Sequence, residues 1–415
     1  MSHDHGKEIN PKLLYLFMLF FILAGSLVTI SNKMILISSS LGIVFVHIWF
    51  LSFITQIGKL CFIPIYYIQN KISNSEKNND EIKSLNKELT EEANIKSDLK
   101  LTYLIPPALC DLTSAIFLAL GLRFIPGSVF RMFTATGVIF TKINSVFILK
   151  NHFYRHHILA IFIVCIGLFL VGYATVSGLT INLTETIIGL VLTVSGMFFM
   201  SLQFTFEEKL MKKYNIDPVK AIGYEGLWGT IFITVLIIIL QFSPCITPDI
   251  NEKSVAYYLC NTNENNEWTV ENFVFAFKQM GDSGLICANV IMFGVSYCLM
   301  VYTGILCSNH SSSAARAVID TARTIFVWAF FMMPFIELEF RESFLWLQFV
   351  GFIFLILGNL IYNEILRVPF FNLDYYTKKK IRERNNEIKN QEKLKGETMQ
   401  TVSESSDQEA LFLKK

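Results

Sequence analysis

The sequence predicts an all-α membrane protein in which ten transmembrane helices form two inverted five-helix repeats. Three observations carry that prediction. Apolar residues make up 53% of the 415 residues and charged ones only 17%, whereas a soluble domain carries about a quarter charged residues. The apolar residues gather into runs of roughly 20, the length that crosses about 30 Å of hydrocarbon. The second half of the chain repeats landmarks of the first, five runs later. In lipid a backbone must satisfy its own hydrogen bonds, so the runs read as helices. The mean hydropathy of +0.46 and the 38 Phe residues suit a surface that faces lipid.

In chain order the spans are expected near 12–31, 41–68, 101–121, 127–149, 156–176, 185–206, 219–242, 283–307, 312–334 and 344–364. The first run is longer than a signal-peptide core and lacks a small-residue cleavage site, so it reads as a retained span. Residues 1–11 form a short tail, 12–176 the first repeat and 177–366 the second, and 367–415 a charged tail. Within the repeats lie two long connections. Residues 69–100 are rich in Asn, Lys and Glu and resemble weakly ordered chain. The loop 243–282 carries Trp268, Phe273, Phe275 and Phe277, which suggest packing on the membrane surface.

Charge placement sets the expected orientation. With ten spans, 24 of the 35 Lys and Arg residues fall on the side of the two termini. The opposite side holds five: Lys33, Arg123, Lys253, Lys278 and Arg341. Basic residues accumulate on the cytosolic side of membrane proteins, so both termini and the loop 69–100 are expected in the cytosol, and the loop 243–282 in a lumen. Cys245 and Cys260 share that loop, apart from the six cysteines inside apolar runs. They are the candidate disulfide, on condition that the loop faces an oxidising compartment.

The repetition is weak but in register. Span 1 ends in Ser31-Asn32-Lys33-Met34 and span 6 in Glu207-Glu208-Lys209-Leu210; span 4 opens Ser128-Val129-Phe130-Arg131 and span 9 opens Ser313-Ala314-Ala315-Arg316. Spans 5 and 10 carry paired glycines, Gly167 and Gly172 against Gly351 and Gly358. An odd number of helices per repeat sends the second copy through the membrane in the opposite sense. Inverted repeats are a mark of secondary transporters, with the solute site near the midplane. Glycines also recur wherever membrane helices pack closely, so they carry weight only beside the other landmarks.

Three stretches bring a family resemblance: Pro107-Ala108-Leu109-Cys110-Asp111; Glu207-Glu208-Lys209 through Asn215, Pro218, Gly223, Glu225, Gly226 and Gly229; and Arg316 through Asp320, Arg323-Thr324 and Trp328. Over about residues 12–366 the chain resembles the drug/metabolite transporter superfamily, in the solute carrier thirty-five (nucleotide-sugar-transporter-like) branch and its subfamily F. The resemblance implies ten helices, inverted repeats and a central cavity lined largely by spans 3, 4, 8 and 9. Where relatives carry Arg this chain has Thr134, and it has Arg131 where they carry Gln, so the cation stands one helical turn away.

An ionisable side chain at the centre of a membrane helix costs roughly 2.5–3.5 kcal/mol on insertion scales, so each one calls for a reason. Arg316, Asp320 and Arg323 are spaced four and three apart and share one helical stripe. Asp320 can pair with either Arg, and an Arg fork suits a carboxylate or phosphate. The stripe reads equally as a structural ion pair. Span 4 adds Arg131, Thr134 and Lys142, span 3 adds Asp111, span 7 adds Glu225, and span 2 adds His47 and Lys59. Lys59 and Lys142 also read as side chains that snorkel to the interface, and Glu225 as a helix-to-helix hydrogen-bond acceptor. The interior then counts five cations and three acids, and one cavity facing all of them favours an anion.

The expected function is secondary transport of a small anionic metabolite, nucleotide-sugar-like, across an internal membrane: lysosome, Golgi or endoplasmic reticulum, with the mitochondrion as a further alternative. The alternatives are a cation or drug exporter of the same superfamily, in which Asp111, Glu225 and Asp320 dominate, and a transport-inactive scaffold. An enzyme built on His47 lacks a paired acid and base. The expected partners are the lipid bilayer, a small-molecule solute and a second copy of the chain; nucleic acid is not among them, for want of a basic stripe. No cofactor or metal is expected: His152, His156 and His157 come without a Cys or carboxylate, and no Gly-Lys-Ser/Thr phosphate loop occurs. The sequons at Asn182 and Asn309, and Asp407 with Leu411-Phe412 as a loose sorting signal toward lysosomes, complete the reading.

Overall fold

The computed structural model describes residues 11–76, 101–150, 154–178, 183–214, 216–245, 260–262, 268–310, 313–333 and 344–362, with single positions between 364 and 387. Helix α1 (Pro11–Ile37) leads through a hairpin, β1 (Ser39–Ser40) and β2 (Ile43–Val44), into α2 (Ile48–Leu60) and α3 (Phe62–Glu76). After a 3₁₀ turn at Leu101–Leu104 come α4 (Ile105–Phe124), α5 (Gly127–Phe133), α6 (Thr136–Leu149), α7 (Arg155–Gly178), α8 (Leu183–Tyr214) and α9 (Pro218–Gln241). A second small hairpin, β3 (Asn261–Thr262) and β4 (Trp268–Thr269), precedes α10 (Phe273–Asp282), α11 (Gly284–His310), α12 (Ser313–Phe331) and α13 (Trp346–Tyr362).

Among the described residues, eight helical segments are long and apolar enough to cross a membrane, and two shorter apolar helices, Ala322–Phe331 and Trp346–Tyr362, accompany them. The chain is an all-α, multi-pass membrane protein. The eight long segments overlap the first eight expected runs. The last two fall short for local reasons. Arg316, Asp320 and Arg323 interrupt the hydropathy of α12, and α13 has only 17 residues.

Two expected helices are broken. Pro64 lacks an N–H and its ring crowds the carbonyl four residues back, and α2 gives way to α3 at Cys61. Between α5 and α6 the backbone tightens: Ala135, Gly137 and Val138 donate to the carbonyls three residues before them, at 3.0–3.1 Å. The hydroxyls of Thr134 and Thr136 donate to the carbonyls of Arg131 (2.6 Å) and Phe133 (2.8 Å). A mid-helix 3₁₀ stretch of this kind marks a hinge or a strained segment.

The ends of the helices are tied by side chains. Asp217 caps α9, accepting from the Val219 and Lys220 amides ahead of Pro218, the residue pattern that starts helices. Lys33 Nζ donates to the carbonyls of Leu122 and Ile125 at the end of α4, both at 2.8 Å, while Arg123 donates to the carbonyl of Leu36 at the end of α1. Each helix thus supplies the cation that satisfies the other's last carbonyls. The β1–β2 turn has Leu41 at φ 55° and Gly42 at φ 76°, the two left-handed residues that a two-residue hairpin requires.

Helix α10 lies over that hairpin. Gln279 donates to the carbonyls of Ser40 and Ile43, and His47 bonds Gln279 at 3.1 Å and Glu271 at 2.5 Å with both side chains fully buried. Phe275 is buried beside His47, and Phe273 packs on Phe50 and Phe53. Part of the aromatic run clamps the start of α2. Val274 and Phe277 remain exposed. Cys245 and Cys260 are joined as a disulfide in this loop, their Cα atoms 6.1 Å apart.

The principal helix pairs are α1 with α11 and α12, α2 with α9, α4 and α6 with α8, and α7 with α13. The glycines of spans 5 and 10 serve the last pair. A Cβ on Gly351 would meet the Gly167 carbonyl at 2.9 Å, and one on Gly167 the Gly351 carbonyl at 2.8 Å. Gly172 faces Phe133 instead.

Candidate functional site

A partly open cavity of about 150 Å³ lies between the helices. Helices α1, α2, α4, α5, α8, α9, α11 and α12 line it, while α7 and α13 pack against each other outside. The wall is therefore broader than spans 3, 4, 8 and 9, because α1 and α8 cross its middle. Arg131, Thr134, Asp111, Glu225, Asp320 and Arg323 all face it. Arg316 belongs to α12, but its side chain lies outside the described residues.

The first charged cluster joins α5 to α12. Arg131, 5% exposed, donates through Nη2 to the Asp320 carbonyl (3.0 Å) and to its carboxylate (3.2 Å). Arg323 pairs with the other oxygen of the same carboxylate. The two arginines that hold Asp320 thus come from different helices, rather than from the α12 stripe alone. Arg323 has a built seat: its guanidinium lies 5.1 Å from the Phe21 ring and 2.7 Å from Met300 Sδ, in space that a side chain on Gly25 would fill. Thr134 lines the cavity with its hydroxyl spent on the Arg131 carbonyl.

The second cluster joins α2, α4 and α9. Lys59, only 2% exposed, contacts the Asp111 carboxylate at 2.8 Å and approaches Glu225 Oε2 at 3.9 Å. Gln56 donates to the same Asp111 oxygen at 2.7 Å. This lysine does not snorkel; it is paired inside the bundle. Added side chains at Gly226 and Gly229 would run into Lys59 and Gln56, so the close approach of α9 to α2 sets this cluster.

Glu207 is the residue that the sequence did not place. The run was expected to end at 206, but α8 continues to Tyr214. Its turns keep Met200, Gln203, Phe204 and Glu207 on one face, three and four apart, and all four line the cavity. Gln203 donates to Glu207 at 2.7 Å, and Glu225 is a close neighbour. The periodicity through 200, 203, 204 and 207 was the signal that could have found it.

The charge balance changes as a result. Among the described residues the cavity wall carries Lys59, Arg131 and Arg323 against Asp111, Glu207, Glu225 and Asp320. Lys142 is buried away from the wall. Among the described residues the wall shows no excess of cations over acids, so the charge tally gives no preference for an anion there. Glu225 Oε1, Arg131 Nε and Asn32 Oδ1, in residues of this wall, are buried atoms with no hydrogen-bond partner among the described residues. Leaving such an atom dry and unpaired costs about 1–3 kcal/mol.

The apolar helices and the charged cavity between them define the class: an all-α, multi-pass membrane protein. The family whose model is described as purine nucleobase transmembrane transport matches residues 13–243, more than half of the chain. Solute carrier family 35 member F6 of Mus musculus is 29% identical over 266 residues, 63% of this chain and 66% of that protein. The Rattus norvegicus counterpart is 30% identical over 63% of this chain and 66% of its own, and the Homo sapiens one 28% identical over 63% and 67%. The chain spans about two thirds of the length of these relatives. It belongs to this membrane-carrier family, in the solute carrier 35 lineage.

Proposed function

We propose that the chain is a secondary transporter that moves a small, net-neutral, hydrogen-bonding solute of the purine nucleobase kind across an internal membrane by alternating access. The observation that carries this reading is the cavity itself, about 150 Å³ with acids and cations nearly balanced. A cavity of roughly that volume accepts a small aromatic compound. A nucleotide sugar, with base, ribose, two phosphates and a hexose, is far larger, and its phosphates would meet four acids for three cations. The family description, purine nucleobase transmembrane transport, points the same way.

Ten spans in two inverted repeats fit the packing. Numbering the spans in order, with α2–α3 and α5–α6 as single broken spans, the pairs 3–6 and 8–1 exchange when each number is shifted by five. So do 4–6 and 9–1, while 2–7 and 5–10 map onto themselves. A pseudo-two-fold axis through the bundle has that consequence. Arg131–Asp320 and Lys59–Glu225 each connect one repeat to the other, so both clusters can break and re-form as the repeats rock. The 3₁₀ stretch after Arg131 supplies a place to bend.

The test is uptake into proteoliposomes of labelled adenine, a labelled nucleotide sugar and the lipophilic cation tetraphenylphosphonium. Adenine uptake alone is expected. Accumulation of the nucleotide sugar would restore the anion reading. Uptake of the cation would make the acids of the cavity the working groups, as in a drug exporter.

A further inference from the structure

The end of the bundle where α1 and α4 finish is locked twice. Lys33 donates to the last carbonyls of α4, those of Leu122 and Ile125, and Arg123 returns a bond to the Leu36 carbonyl of α1. Ile35, Leu36, Leu122 and Ile125 are each 1% exposed or less and belong to one apolar cluster, a dry plug beside these bonds. The cavity wall reaches Asn32 and Leu122, next to that plug. An inverted repeat puts an equivalent contact at the opposite end of the bundle. Lys33 matches Lys209 in the repeat, and the register that sets Ser128 on Ser313 sets Leu122 on Cys307 and Arg123 on Ser308. The two ends are not in the same state. Helix α1 packs on α4 and α5, whereas their counterparts, α8 with α11 and with α12, make no more than marginal contact among the described residues. Lys209 is exposed.

We propose that Lys33 and Arg123 are the gate that closes one end of the cavity, and that Lys209 is its counterpart, bonding the end of α11 when the opposite end closes. This rests on the alternating-access reading above and names the residues that hold each state. Helix ends suit the task, because their last carbonyls need donors and favour a cation. A contact made in only one of two states is what shifts the balance between them. Two cations hold the first gate, while Ser308 stands where the second cation of the other would be. The form closed at the Lys33 end is therefore the resting one.

The experiment places a thiol in the plug, Ile35→Cys, and measures how fast a water-soluble maleimide labels position 35 of the purified full chain, read by peptide mass spectrometry. No solute is present, so the readout does not depend on what is carried. Adding Lys33→Met should speed labelling about 10- to 100-fold, the range for a hydrogen bond to a charged group. Lys33→Arg keeps donors and should stay near the parent rate. Lys209→Met, added to the parent or to Lys33→Met, should slow labelling about tenfold, because it removes the bond that holds the opened form. A merely structural lysine at 33 would not give these opposite signs. Thermal midpoints are read in parallel, and if Lys33→Met proves unstable, the exposed Lys209 site still tests the exchange. If the folded parent is labelled and neither substitution changes its rate, the gate assignment alone is overturned. If position 35 is labelled in none of these proteins while they stay folded, that end does not open, and the alternating-access reading falls with the gate.

Discussion

At the residue scale the decisive group is Asp320. It accepts from Arg131 of one helix and Arg323 of another, so a single carboxylate faces two buried cations and offsets one of the two charges. Removing one partner of a buried pair leaves an uncompensated charge, which costs about 3–5 kcal/mol. Asp320 is partly exposed, 22% by its side chain, so Asp320→Asn should fall at the low end, about 3 kcal/mol. Arg323→Lys is a different lesion. It keeps the charge but loses the planar fork and the stacking on Phe21, so transport should fall several-fold with a smaller change in stability. Uptake measured beside the detergent thermal midpoint checks both. Normal transport by Arg323→Lys would make the α12 charges a structural clasp and leave the solute to Arg131.

At the element scale, helices approach where side chains are missing. The α7–α13 contact brings Gly167 and Gly351 carbonyls to where a Cβ would stand, and Gly351 also lies against the Val171 amide. Backbone on both sides cannot step aside as a flexible side chain does. Gly351→Ala should therefore destabilise the protein by about 1–3 kcal/mol, the usual cost of overpacking. Gly281, in α10, has nothing within 4 Å of an added Cβ. Gly281→Ala should be neutral or stabilising by up to about 1 kcal/mol, because Ala is the better helix former. Thermal unfolding of the two variants in detergent is the measurement, and equal shifts would mean that the glycines do not set the helix spacing.

At the scale of the whole molecule, the expected topology follows from the distribution of Lys and Arg. Tags inserted at residue 80 and in the charged tail after 366 should face the cytosol, and one near residue 262 the lumen. Proteolysis of intact vesicles should remove the first two and spare the third. The opposite pattern would invert the orientation and turn the α10 clamp, with its His47–Glu271 pair, toward the cytosol.

Hydropathy and spacing by themselves determined that this is an all-α membrane protein, where the first eight helices run, and which ionisable residues need a reason to be in the bilayer. These are local properties: an apolar run of 20 residues must span, and a charge within it must be paired, whatever its neighbours. Asp111, Arg131, Glu225, Asp320 and Arg323 were legible on that ground. Which charges meet was not. Asp320 meets Arg131 across 189 positions of sequence, Lys59 joins Asp111 instead of the interface, and Glu207 enters the wall because α8 runs a further two turns. The sign of the cavity is a sum over side chains from eight helices. Only the tertiary structure decided it, since each helix fixes the direction of its own side chains, but packing alone decides which faces enclose the same space.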